Sequence, residues 1–343
     1  MSSRKSQGLI TNLILFGLII ATLLLVNQNI SNSSQGGAPN NLSPEELIQP
    51  SDQNQDEASQ RNLPPTLFVG ITENNTTKVE ARKVNEPARL LFTDADETLK
   101  VQTLLGLAGD LIYATISDGT QTRLATISTD EQGVFTLQSQ EISSTSPPAI
   151  SPDGQKIASI SFNNDERDFG FNLFAGTLGG QATLIDQNST GLTLPVWDQT
   201  STRLAYISGQ ATDENGQAIK TYFEDKIQTT TSFAKDSVAT DLVWLNATSL
   251  LAVLEPVNRD GQNQAKIVLV DLNTGAYGDF ANLPGKERSL RTTEIDQFTA
   301  VISNEVTNNP ATLGEVNILD GSGRQIQTLG RATYIIGWAR GEK

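Results

Sequence analysis

The 343-residue chain contains no cysteine and no histidine. The first absence excludes disulfides, thiolate nucleophiles and cysteine-based zinc sites, and is compatible with either redox compartment. The second excludes Ser-His-Asp and Cys-His catalysis and histidine-ligated metals. An enzyme built from this chain would have to work with carboxylates, Tyr, Lys or Arg. Cations are scarce as well: 24 Lys and Arg stand against 39 Asp and Glu, a formal net charge of −15. Neutralising nucleic-acid phosphates needs clustered Lys and Arg, so no nucleic-acid partner is expected. Anionic lipid headgroups would be repelled for the same reason.

One long apolar run is present. Arg4 and Lys5 precede Gly8–Val26, which only Thr11 and Asn12 interrupt. At about 1.5 Å per residue this run reaches roughly 28 Å, close to the roughly 30 Å hydrocarbon core of a bilayer. The preceding cations, with none immediately after, predict a single-pass signal-anchor helix over 8–26, residues 1–7 in the cytoplasm and the remainder extracytoplasmic. A cleaved signal peptide is the rival reading: the densest apolar run, Leu13–Val26, falls within the length of a signal peptide's hydrophobic region, and Ser31-Asn32-Ser33 is a weak cleavage candidate. Cleavage would leave a secreted or periplasmic protein. Residues 27–62 are rich in Asn, Gln, Ser, Pro and Asp and have little to bury, which predicts a flexible stalk. Within it, Ser43 and Pro44 look like the start of one helical turn.

From Leu63 onward, short apolar-alternating runs are separated by turn chemistry, the signature of an all-β domain over 63–343. Only three tryptophans occur, and Trp197, Trp244 and Trp338 share one phase: 47 residues separate the first two, and twice that the last two. A period of that length built from short strands predicts four-stranded propeller blades. One blade reads almost completely: Pro147–Ser151, Lys156–Phe162, Phe171–Leu178 and Ala182–Ile185, with Gly179-Gly180 as a hairpin turn. Similar units begin at Val101, Leu194, Leu242 and Ser289. Thr333–Trp338 is left at the C-terminus and Leu67–Ile71, Lys78–Val84 and Arg89–Phe92 at the N-terminus. Joining them gives a sixth blade from both chain ends, which closes the ring and pairs otherwise exposed edges.

Ser151-Pro152-Asp153-Gly154-Gln155-Lys156-Ile157-Ala158-Ser159-Ile160-Ser161 resembles the S-P-D-G-x-x-[IL]-A-x-x-S repeat of the TolB-like propellers, also called WD40-like or PD40 repeats. Pro195–Ser208 resembles the same unit with a Pro-x-Trp lead and Asp198-Gln199-Thr200-Ser201 in the turn; Leu242–Leu254 is a weaker copy. The resemblance implies a six-bladed ring over most of 63–343. It says little of function, because the repeat serves periplasmic scaffolds, surface sensors and the regulatory domains of peptidases alike. No hydrolase domain is expected beside this ring.

The conspicuous residues mostly have structural readings. The tryptophans read as wedges between blades, and Asp153-Gly154 as a tight turn. Asn163–Asp168 carries several oxygen ligands but lacks the spacing and central Gly of an EF-hand loop. Asp213–Gly216 and Asn258–Gly261 read as solvated turns. Asp94, Asp96 and Glu97 form an acidic cluster, yet nothing fixes the carboxyl separation that glycoside hydrolysis requires. Asn75, Asn188 and Asn246 begin Asn-x-Ser/Thr triplets, which matter only if the host glycosylates exported proteins. No catalytic, cofactor or metal residue is therefore assigned, no cofactor is expected, and the expectation is a non-enzymatic chain. The leading functional expectation is a membrane-anchored propeller that binds a protein or cell-envelope polymer through its loops or axial channel. The alternatives are a His-independent glycosidase or lyase using carboxylates in the central pocket, and a purely structural spacer.

Overall fold

The computed structural model describes residues 65–339, without 95–99, 131–132, 143, 166–168, 215, 258–264, 282–285, 293–297 and 305–312. The expected membrane helix at 8–26 and stalk at 27–62 lie outside these residues. Among the described residues no helix is long and apolar enough to cross a membrane. All of the regular structure there is strand.

The chain opens with β1 (Leu67–Glu73), β2 (Thr76–Arg82) and β3 (Arg89–Thr93). Blade 1 follows as β4 (Lys100–Ala108), β5 (Leu111–Ser117), β6 (Thr122–Ser128) and β7 (Phe135–Glu141). Blade 2 is β8 (Ala149–Ile150), β9 (Lys156–Asn163), β10 (Gly170–Thr177) and β11 (Ala182–Asn188). Blade 3 is β12 (Leu192–Trp197), β13 (Leu204–Ser208), β14 (Ala218–Phe223) and β15 (Lys226–Ser232). Blade 4 is β16 (Ser237–Asn246), β17 (Ser249–Pro256), β18 (Lys266–Asp271) and β19 (Tyr277–Ala281). Blade 5 is β20 (Lys286–Thr292), β21 (Thr299–Asn304), β22 (Gly314–Leu319) and β23 (Gln325–Ala332). The last strand, β24 (Tyr334–Trp338), pairs antiparallel with β1, Leu67 opposite Trp338, so blade 6 has the order β24-β1-β2-β3. The first strands β4, β8, β12, β16, β20 and β24 each touch the next, and β24 touches β4, so the ring is closed.

Alternation along the strands builds the seams between blades. In β17, Leu250, Ala252 and Leu254 face blade 3, while Leu251 and Val253 face blade 5. In β1, Leu67 and Val69 join the cluster against blade 5 and Phe68 the one against blade 1. Six buried clusters result, one per seam. A strand buried on both faces reads as a continuous apolar run, such as Leu250–Leu254, rather than as an apolar-polar alternation. Each fully buried Leu or Ile contributes roughly 1.5–3 kcal/mol, so closing the ring secures what a single blade could not.

Strand boundaries differ from the sequence reading in several places, and three of the differences have a clear physical cause. β8 is only two residues long, because Pro147 and Pro148 lack the N–H groups a ladder needs. β16 starts at Ser237 rather than Leu242, and a register shift between Ala239 and Asp241 breaks the alternation that would have marked it. β20 starts at Lys286 rather than Ser289, with a shift between Glu287 and Leu290. Bulges of this kind bend a strand and re-aim its side chains.

Candidate functional site

An innermost strand has its second strand on one edge and the ring axis on the other. Buried apolar side chains on β12 and β16 are interrupted by exposed Thr193 and Thr240. The two residues occupy equivalent places, 47 apart and each four residues before a tryptophan. Extending that interval in both directions gives Ser146 at the entry to β8, Glu287 on β20 and Tyr334 on β24. The Ser146 hydroxyl is buried and without a hydrogen-bond partner among the described residues. In blade 1, Gln102 on β4 is exposed where the ladder skips from Val101 to Thr103. Thr240 likewise lies in the shift between Ala239 and Asp241. The bulges take Gln102 and Thr240 out of the ladder pairing, and Gln102 Oε1 accepts the Thr122 hydroxyl on β6 at 3.2 Å. Among the described residues, blades 1, 3 and 4 thus expose an amide or hydroxyl group on their innermost strands.

One strand turn further along, the tryptophan phase closes the seams. Trp197 Nε1 donates to the Ala149 carbonyl at 3.2 Å, Trp244 Nε1 to the Val196 carbonyl at 3.1 Å and Trp338 Nε1 to the Arg291 carbonyl at 3.2 Å. Each indole therefore packs on the preceding blade and satisfies its N–H there. Cations cover two of the rings: the Arg203 guanidinium lies 4.6 Å from the Trp244 centroid and the Lys156 ammonium 5.6 Å from that of Trp197. The tryptophans are wedges, not a binding surface.

The same phase places Arg291 where blade 5 would carry its tryptophan. Arg291 Nη1 donates to the Leu290 carbonyl at 2.6 Å and stands 3.7 Å from Asp241 Oδ2 on the neighbouring inner strand. Asp241 also accepts the Leu290 N–H at 2.5 Å and the Leu242 N–H at 2.9 Å. Burial pushes the Asp241 carboxyl above the usual carboxylate range; the Arg291 charge and the two backbone N–H groups oppose that shift without cancelling it. The pair joins the inner strands of blades 4 and 5, next to Thr240 in the chain.

The acidic residues singled out in the sequence go elsewhere. Asp94 is buried and clamps blade 6 to blade 1: its Oδ1 accepts the Thr77 N–H at 2.7 Å and its Oδ2 the Val101 N–H at 3.2 Å. Asp96 and Glu97 lie outside the described residues, as do 166–168 and 258–261. Asn163 Oδ1 accepts the Asp165 N–H at 3.0 Å, a local turn. Asp213 ties its loop to blade 2 through Thr190 Oγ1, which donates at 2.8 Å. Asp153 accepts the Ser151 hydroxyl at 2.5 Å and the Gln155 N–H at 3.0 Å, closing its turn. No group of three or more carboxylates suited to a metal occurs among the described residues.

The sequence reading missed one buried cluster. Tyr206, with no solvent exposure, donates to Asp186 Oδ2 at 2.8 Å, and Lys220 donates to the same oxygen at 2.8 Å. Burial first, then the Asp186 hydrogen bond and charge, push the Tyr206 hydroxyl far above its ordinary range. Such a phenol cannot serve as a base, and the cluster is a lock between blades 2 and 3. The exposed pair Thr193 and Thr240 was also missed, although the 47-residue interval contains it: reading four places ahead of Trp197 and Trp244 would have found both.

No protein-family model and no curated protein sequence matches this chain. Solved structures do. TolB from Acinetobacter baumannii superposes with a TM-score of 0.55 at 11% identity, covering 80% of this chain and 67% of that one. A protein assigned as TolB from Agrobacterium tumefaciens gives 0.51 at 10% identity, covering 80% and 93%. An oligogalacturonate lyase in complex with manganese gives 0.50 at 13% identity, covering 79% and 85%. The last finding corrects the expectation of a non-enzymatic chain. An enzyme uses the same ring, so the fold does not exclude catalysis, and the missing histidine removes only the chemistries that need it. The described residues of this chain form a six-bladed propeller of the TolB-like type.

Proposed function

We propose that this chain is a membrane-anchored, extracytoplasmic binding module that captures a protein or a cell-envelope polymer at the polar mouth of its ring. The observation that carries the reading is the set of exposed polar residues on innermost strands, Gln102, Thr193 and Thr240, held by seams that tryptophan wedges lock. Rigid elements that present polar groups around a concave opening suit recognition at low ordering cost. Anchorage rests on the apolar run at 8–26 and its preceding cations; the TolB-like fold is compatible with a scaffold role. The test is a photo-crosslinking residue placed at Thr193 or Thr240 of the full chain in its membrane. A discrete protein or polymer adduct is expected from these positions and not from Asn273 in an outer turn. Equal labelling from all three would remove the support.

Asp241 favours a second reading, cleavage of a polysaccharide by carboxylate chemistry. A buried carboxyl held above its usual range beside Arg291 has the protonation behaviour of a general acid. A polysaccharide panel with the full chain decides it: turnover lost in Asp241→Asn supports this reading, and no turnover on any substrate ends it.

A further inference from the structure

A row of three aromatic rings leads from the seam between blades 2 and 3 to the surface. Phe171 on β10 packs against the buried cluster of that seam. It is the direct cross-strand partner of Phe162 on β9, and their ring centroids lie 5.0 Å apart. Phe169, in the loop that joins the two strands, sets its ring edge to face against Phe162, at 5.1 Å and 86°. Yet Phe169 is 53% exposed, the most exposed aromatic residue among those described. An apolar ring that its neighbours hold in place while one side stays in water is suited to contact with a ligand.

The surface beside that ring is built from amides and hydroxyls. Gly170 (φ +149) stands so close to the Asn188 carbonyl that an added Cβ would lie 2.8 Å from its oxygen, which fixes the backbone next to Phe169 against the β11–β12 connection. Asn188 organises that connection: its Oδ1 accepts the Thr190 N–H at 2.7 Å and the Gly191 N–H at 3.1 Å, and its amide donates to Ser208 Oγ at 2.9 Å. Thr190 is tied in turn to blade 3, its carbonyl accepting the Gln210 side-chain amide at 2.5 Å and its hydroxyl donating to Asp213 at 2.8 Å. Asn164, Ser189 and Gln210 are exposed. The ring therefore stands at the edge of a polar shelf whose parts are already positioned, so little ordering cost remains for binding. A protein hot spot surrounds its aromatic anchor with groups that exclude water. Here the neighbours are hydrogen-bonding groups without charge, and a sugar matches both features: the C–H face of a pyranose stacks on the phenyl ring, and its hydroxyls exchange hydrogen bonds with amides and hydroxyls.

We propose that Phe169 and the shelf of Ser189, Thr190 and Gln210 bind a neutral oligosaccharide, one pyranose stacked on Phe169 and the next lying over the shelf. The site does not rest on capture at Thr193 and Thr240. The purified full chain is titrated by calorimetry with maltohexaose, cellohexaose and chitohexaose. At least one is expected to bind with a dissociation constant on the order of millimolar or tighter. Phe169→Leu keeps the apolar bulk but removes the π-face, and is expected to weaken that binding about tenfold, whereas Phe169→Trp retains or tightens it. Phe223→Leu is the control: Phe223 is also exposed, at 43%, but ends β14 at the opposite end of the blade, and its loss is expected to leave the affinity unchanged. Circular dichroism of every variant confirms the fold. No binding of any of the sugars, an unchanged affinity in Phe169→Leu, or an equal loss in Phe223→Leu would each overturn the proposal. Adduct formation from Thr193 and Thr240 is measured in the Phe169→Leu chain as well, so loss of sugar binding and loss of partner capture are told apart.

Discussion

Two adjoining seams of this ring share a backbone plan and differ in chemistry. Between blades 3 and 4, Trp244 is 2% exposed, donates to the Val196 carbonyl and lies under the Arg203 guanidinium. Between blades 4 and 5, the equivalent place holds Arg291, facing a carboxylate at 3.7 Å. The first seam is stabilised by area and one satisfied N–H; the second keeps two charges out of most of the solvent, where attraction and desolvation nearly offset each other. A repeat protein can therefore retain its period while one position is released from packing, and the released position faces Asp241, next to the exposed Thr240.

The largest effect expected from this contrast is at the tryptophan. Trp244→Ala removes a buried indole, its hydrogen bond and its cation contact, and costs about 3–5 kcal/mol. A denaturant midpoint for Trp244→Ala no lower than that of Arg291→Ala would break the comparison. The charged seam responds less. Asp241→Ala leaves Arg291 without its carboxylate, and because that guanidinium is partly exposed the expected loss is about 1–2 kcal/mol. Restoring the repeat with Asp241→Leu and Arg291→Trp together is expected to leave stability unchanged or raise it. A double variant less stable than Asp241→Ala would show that the pair is integral to packing.

The smallest effect is electrostatic and lies in blade 3. Burial alone would raise the Asp198 carboxyl, but the Arg203 N–H, the Thr200 hydroxyl, the Thr202 N–H and the Arg203 side chain together hold it below its ordinary range. A carboxyl lowered on folding contributes stability that is present above its unfolded value, about 3.9, and is lost as the pH falls through the folded one. Asp198→Asn is therefore expected to cost about 1 kcal/mol at neutral pH. Its melting curve should converge on the parent's below about pH 4. Parallel curves at all pH values would contradict the assignment. Asp241 has the opposite sign: its raised carboxyl favours the folded state more as the pH falls through its folded value.

Much of the ring was legible in the chain. The S-P-D-G turn, the tryptophan interval and the orphan strands at both termini led to six blades and to the mixed closing sheet, because turn chemistry and strand spacing are local properties. Boundaries failed where tertiary contacts override local pattern: Pro147 and Pro148 shorten β8, and bulges at Thr240 and after Glu287 displace the apolar rhythm. The candidate site was harder to read. Thr193 and Thr240 look like ordinary strand threonines until their neighbours are seen to be buried, and Asp94 looks catalytic until both of its oxygens are seen to hold backbone.

By itself, the sequence determined which chemistries are closed to this protein and how many sheets it folds into. A side chain that is absent cannot act, and a repeat fixes the strand count before any contact forms. Only the tertiary structure decided which acids are clamps, which seam carries a charged pair in place of a tryptophan, and which innermost-strand residues stay exposed. Those outcomes depend on residues 20 to 261 apart in the chain coming within bonding distance, as Tyr206 meets Asp186 and Thr72 meets Thr333, and no local pattern encodes such meetings.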